Sequence, residues 1–165
     1  MTTDISLQAP RYWLFKSEPD VFSYADLERA PGRTTGWEGV RNYQVRNYLR
    51  DEVKVGDLLF FYHSRVEPIG IAGIARVVKE AFPDPTQFDP QNHYFDPRSK
   101  PEAPTWLQVQ VQAVRPLRRV VTLAELKATP ELATMTVVQK GSRLSITKVT
   151  EVEWQKVLAL ELEGE

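Results

Sequence analysis

A chain of 165 residues, 42% hydrophobic and 26% charged, is sized and composed for one globular domain with a core of its own. It holds no cysteine, which excludes disulfides, thiolate metal sites and cysteine nucleophiles. With 21 basic residues against 22 acidic ones, it is too balanced to coat duplex through phosphates, so any nucleic-acid role needs a local basic patch and a shaped pocket.

Residues 1–10, M-T-T-D-I-S-L-Q-A-P, carry no basic n-region and no apolar core, so a flexible tail is expected rather than a secretory signal, with 11–165 forming the single domain. No apolar run approaches the roughly 20 residues that span a bilayer, which leaves a cytoplasmic protein with no membrane partner as the expectation. Tyr12 to Phe15 reads as a strand halted by Glu18-Pro19. Ser23, with Asp26 three residues on, predicts a capped helix over Tyr24 to Arg29 that Ala30-Pro31-Gly32 breaks. Asn42 predicts the cap of a second helix to about Asp51, with Val45 and Leu49 on its buried face.

Leu58 to Tyr62 is too continuously apolar to be half-exposed, so a central strand is expected, followed by another over Ile69 to Val78. From Trp106 to Val114 the alternation sends Leu107, Val109 and Val111 one way and Gln108, Gln110 and Gln112 the other. Thr122 with Glu125, and Thr150 with Glu153, have capping-box spacing for helices to about Ala128 and at the C-terminus. Thr129-Pro130-Glu131 reads as the cap and first turn of a short helix, and Leu144 to Val149 as the last strand. Strands with interspersed short helices, and no regular βαβ alternation, predict an α+β fold with a curved or barrel-like sheet. Phe82 to Pro104, where prolines recur beside Asp and Asn, is the one long loop.

The richest chemistry lies in Trp37 to Asn47, W-E-G-V-R-N-Y-Q-V-R-N. It sets an aromatic, guanidinium groups and carboxamides around a glycine turn ahead of a helix: a π-face for stacking, amides for base edges, cations for phosphate. Trp37 is either a core or rim aromatic or the wall of a pocket; in a turn flanked by Gly36 and Gly39, few core contacts are expected for it. Asn42 is a cap, a pocket amide, or both. Arg41, Arg46 and Arg50 form either a solvated helix face or a phosphate patch.

Other signals are weaker. His63 and Ser64 are consecutive, so on a strand they point apart and His63 cannot activate Ser64, and no G-x-S-x-G elbow is present. Two histidines, His63 and His93, do not make a three-histidine zinc site, and no metal or other cofactor is expected. The Asp-Pro pairs at Asp84, Asp89 and Asp96 are turn initiators rather than calcium ligands. Gly70-Ile71-Ala72-Gly73 sits in an apolar strand without the Lys-Ser/Thr of a phosphate loop, so a bulge or a close backbone approach is expected there.

Together with Y-W-L-F-K-S-E-P (Tyr12 to Pro19), F-Y-H-S (Phe61 to Ser64) and R-L-S-I (Arg143 to Ile146), the Trp37 segment closely resembles the EVE domain, from Tyr12 to the C-terminal helix. The resemblance implies a PUA-like fold related to YTH domains: a curved sheet or pseudo-barrel of about five to six strands flanked by short helices. It also implies a reader of modified bases in DNA or RNA that binds without catalysing. On that reading one modified nucleotide, of the methylated or hydroxymethylated cytosine type, stacks on Trp37. Asn42 and Ser64 read its edge, Ser17 and backbone near Val40 complete the pocket, and Lys16, Arg41, Arg46 and Arg143 meet phosphates. Two rivals use the same scaffold: an ASCH-type amidohydrolase of modified nucleosides, with Lys16 and Glu18 as an acid-base pair, and an RNA-binding module of translation or RNA modification.

Overall fold

The structure is a computed structural model that describes residues 10–163; the expected tail lies almost wholly outside the described residues. Six strands form one mixed sheet: β1 (Tyr12–Ser17), β2 (Thr34–Gly36), β3 (Leu58–His63), β4 (Gly70–Pro83), β5 (Leu107–Thr122) and β6 (Ile146–Val149). Their order across the sheet is β2-β5-β4-β3-β1-β6, which leaves β2 and β6 as its edges. β1 runs parallel to β3, and the other pairs are antiparallel. Four α-helices among the described residues accompany the sheet: α1 (Tyr24–Arg29), α2 (Tyr43–Asp51), α3 (Leu123–Ala128) and α4 (Glu151–Glu161).

The apolar runs of β1 and β3 follow from burial on both faces. Trp13, Phe15, Leu59 and Phe61 join Val45 and Leu49 of α2 in one core. Leu14, Phe60 and Tyr62 point the other way, into a second core with Trp154 and Val157 of α4. There Trp154 stacks on Phe60 at 3.9 Å between ring centroids and on Tyr12 at 4.6 Å. Asp57, buried in the turn before β3, accepts from Trp13 Nε1 at 3.0 Å and from the backbone N–H of Arg11 and Lys54.

Helix starts follow their caps. Ser23, Thr122 and Thr150 each close a capping box with the acidic residue three positions on, and Asn42 accepts from Val45 N–H at 3.0 Å. Thr129 begins a 3₁₀ turn without a side-chain cap; its hydroxyl donates back to the Glu125 carbonyl instead.

Two expectations are corrected by tertiary contacts. β4 and β5 run on to Pro83 and Thr122, well beyond the apolar stretches that announce them, because each supplies the other's backbone partners. Their repeated register shifts are bulges, which bend the paired strands. Gln108 is buried rather than solvent-facing: it occupies the space over Gly36, where any side chain at position 36 would collide with it. The Gly70–Gly73 segment is the expected close approach, with a register shift between Ile71 and Gly73 and the Tyr24 ring lying where a Cβ of Gly73 would stand.

Candidate nucleic-acid site

A cavity of about 470 Å³ opens where β1 and β3 end, between the loop after β1, the turn that follows β2 and the long loop between β4 and β5. Its walls are Lys16, Ser17 and Glu18; Val21 and Phe22; Thr35 to Glu38; Ser64; and Tyr94.

The aromatic wall is Trp37. Its ring is half-buried and stands edge-on against Phe15 at 5.2 Å and Phe61 at 5.4 Å, two residues of the first core. Its backbone N–H donates to the Val109 carbonyl at 2.7 Å. This departs from the expectation of few core contacts: the glycine turn delivers the indole onto the end of the core, where it packs against Phe15 and Phe61 and also borders the cavity.

What holds that turn in place is Asp84, a buried carboxylate of the long loop. It accepts from Gly39 N–H at 2.8 Å, from the backbone and hydroxyl of Thr86 at 2.8 and 2.6 Å, and from Arg41 Nη1 at 3.2 Å. Burial pushes its pKa up, but these donors outweigh it and keep the carboxyl below its usual value. Asp84 is thus both the turn initiator that the sequence suggests and the anchor of the site, a second job no local pattern reveals. The Tyr94 ring lies against Gly39, whose φ of +88° and 2.6 Å clearance from that ring to a built Cβ leave room only for glycine.

The cationic residues divide. Arg41, with its side chain 21% exposed, donates to the Tyr94 carbonyl at 2.7 Å, to the Val40 carbonyl at 2.7 Å and to Thr86 Oγ1 at 3.1 Å, and its guanidinium lies 5.3 Å from the Tyr94 ring centroid. Arg46 donates to the Thr105 carbonyl at 2.8 Å and to Asn47 Oδ1. Both are struts between the α2 region and the long loop, not free cations. Arg143 is exposed and makes no hydrogen bond or ion pair among the described residues. Lys16 lines the cavity half-buried, and burial lowers its pKa.

Both hydroxyls of the sequence-based set line the cavity, each donating to a backbone carbonyl. Ser17 donates to the Phe22 carbonyl at 2.6 Å, which fixes the Glu18–Ser23 loop, and Ser64 donates to the Ser17 carbonyl at 3.3 Å. His63 turns elsewhere: its Nε2 accepts from Tyr24 N–H at 3.0 Å, and burial lowers its pKa. Asn42 spends its carbonyl on the cap of α2 and Val40 is buried in the core; neither is on the cavity wall. β1 ends at Ser17, so the extension that would put Lys16 and Glu18 on one strand face is absent, and Glu18 pairs loosely with Arg65 at 3.5 Å. Among the described residues no group of three His, Asp or Glu is gathered to hold a metal ion. No helix among them is long and apolar enough to cross a membrane.

Trp37, Ser17, Ser64 and Lys16 are therefore brought together from the sequence-based set, and Arg41, Arg46, Arg143, Asn42 and Val40 are not. Phe22, Tyr94, Thr35 and Glu38 join from outside it. The EVE domain family model matches residues 11–160. The chain belongs to the EVE domain family. Human thymocyte nuclear protein 1 is 45% identical over 91% of this chain and 73% of its own length. A crystal structure of a Pseudomonas syringae protein superposes with a TM-score of 0.87 at 48% identity, covering 92% of this chain and 99% of that one. The human THYN1 protein, crystallised with DNA containing 5-methylcytosine, gives a TM-score of 0.88 at 44% identity over 94% of this chain and 99% of that one. An ASCH protein from Zymomonas mobilis shares 12% identity at a TM-score of 0.52, which speaks for the PUA-like fold alone.

Proposed function

We propose that this EVE domain reads a modified base in nucleic acid, capturing one nucleotide of the 5-substituted cytosine type in the cavity beside Trp37. The observation that carries the proposal is a half-buried indole, braced edge-on by Phe15 and Phe61 and bordering a 470 Å³ cavity that Phe22 and Tyr94 also line. A volume of this size lies within the range of small-ligand pockets. Support also comes from the human relative bound to DNA containing 5-methylcytosine.

The ring stacks on Trp37, while Ser17, Ser64 and Thr35, whose hydroxyl protons go to the Phe22, Ser17 and Gly36 carbonyls, offer their oxygen lone pairs as acceptors to its edge. Lys16 on the cavity wall and the exposed Arg143 outside it are the cations left to meet flanking phosphates, whereas Arg41 and Arg46 are committed to the long loop. The base enters unpaired or flipped out, at an unstacking cost of a few kcal/mol in duplex. Recognition of a single methyl contributes about 1–3 kcal/mol, so selectivity is modest. The domain, spanning 11–165, acts by binding without turnover and as a cytoplasmic protein, although the human relative is named a nuclear protein.

Fluorescence anisotropy with otherwise identical oligonucleotides, single-stranded and duplex, DNA and RNA, tests the reading. A DNA strand with one 5-methylcytosine binds more tightly than its cytosine counterpart by about 5- to 150-fold. Equal affinity for both overturns the reading, and tighter binding to RNA of either kind favours the RNA module.

A further inference from the structure

Glu38 is out of place in a nucleic-acid pocket. A carboxylate near phosphates is repelled, so it persists at such a site only where a donor pairs with it. The other acids around the cavity are accounted for: Glu18 faces Arg65, and Asp84 is saturated by Gly39, Thr86 and Arg41. Glu38 lines the cavity next to Trp37, exposed at its mouth, and makes no hydrogen bond or ion pair among the described residues. Burial and the neighbouring Asp84 carboxylate raise its pKa, against the opposing attraction of Arg41.

An ionised carboxylate only accepts hydrogen bonds. Among pyrimidines, cytosine presents an amine at C4 and thymine presents an oxygen there; acidic side chains pair with the amine and repel the oxygen. With the ring stacked on Trp37, its edge meets the groups that surround the indole, of which Glu38 is the one unpaired acceptor with full charge. We propose that Glu38 selects the amino-bearing pyrimidine, accepting a hydrogen bond from the C4 amine so that 5-methylcytosine is taken and thymine refused. This deepens the base-reading proposal and rests on it. The two bases share the C5 methyl group, so no stacking or methyl-sized corner distinguishes them.

The test is competition binding with three single-stranded DNA oligonucleotides that differ at one position, carrying 5-methylcytosine, thymine or cytosine, against the wild-type chain, Glu38→Gln and Glu38→Ala. The wild type prefers 5-methylcytosine over thymine by about tenfold or more. Glu38→Gln brings the two near parity, because its amide turns either oxygen or NH2 to the ring, and Glu38→Ala does so by weakening 5-methylcytosine. Melting temperatures stay within a degree or two, since Glu38 holds no partner to lose. If the wild type binds 5-methylcytosine and thymine alike, but both above cytosine, the site reads the methyl group alone: the Glu38 role falls and base reading stands. Retention of the preference in both variants assigns selection to another group. If the wild type binds all three oligonucleotides equally, base reading falls and Glu38 with it.

Discussion

Replacing Trp37 with alanine removes the cavity's stacking wall and two core contacts together, and the two losses are separable. The indole makes edge-on pairs with Phe15 and Phe61. Each such pair contributes about 0.5–1.5 kcal/mol beyond its area, so roughly 1–3 kcal/mol of stability is lost. That is less than the 3–5 kcal/mol of a fully buried aromatic and within the stability of a typical domain, so the chain stays folded with a melting temperature lower by about 2–12 °C. Binding loses the base-stacking contribution of about 1–3 kcal/mol, which is a 5- to 150-fold weaker affinity for a 5-methylcytosine strand. Trp37→Phe keeps a π-face and recovers most of it. Thermal melts with anisotropy titrations on both variants measure the two effects. A folded Trp37→Ala protein that binds within twofold of wild type refutes the stacking role outright.

Asp84→Ala strips the acceptor from Gly39, Thr86 and Arg41 at once, and urea denaturation should show a loss of about 3–5 kcal/mol, with Asp84→Asn costing less. His63 has a folded pKa lowered by burial, so the unfolded chain takes up the proton first; stability is complete above the unfolded pKa of about 6.5 and falls as pH drops below it. Melting temperatures between pH 7 and pH 5 should show that decline, and His63→Gln should flatten it. Arg143→Gln should weaken binding to modified and unmodified strands alike and reduce the slope of log affinity against log salt by about one; an unchanged slope removes Arg143 from the phosphate contacts. Arg41→Gln should lower stability more than it lowers that slope, because its guanidinium is committed to the long loop.

How far the sequence could be read depends on the range of the interactions involved. Capping boxes act over three residues, so Ser23, Thr122 and Thr150 announce their helices to within a residue. The run through Phe60, Phe61 and Tyr62 is apolar because both sheet faces are covered, and that signal is also local. The outer part of β4, through Glu80, is largely exposed and paired by β5 alone, and that of β5, past Arg115, scatters the buried Leu117 and Val121 among arginines, so no clean periodicity marks either. The same division runs through the site. Trp37, Ser17 and Ser64 sit in motifs that carry their chemistry on their face. Tyr94 reaches the cavity from a loop more than fifty residues past the Trp37 turn, and Arg41 pairs with Asp84 across 43 positions. A cation committed to a distant acid or carbonyl and a free cation look alike in sequence, which is why Arg41, held by Asp84, and Arg46, held by the Thr105 carbonyl, read as phosphate contacts.

The claim that a base lies on Trp37 is tested most directly by the indole N–H resonances of the four tryptophans during titration with a single-stranded DNA carrying one 5-methylcytosine. Trp13, Trp106 and Trp154 are buried, and the indole N–H groups of Trp13 and Trp106 are bound to Asp57 and Asp96. One cross-peak, assigned to Trp37 by its absence in Trp37→Phe, should shift strongly and saturate with the binding isotherm while the other three stay nearly fixed. Saturable binding that leaves the Trp37 peak in place would contradict capture of the base in this cavity.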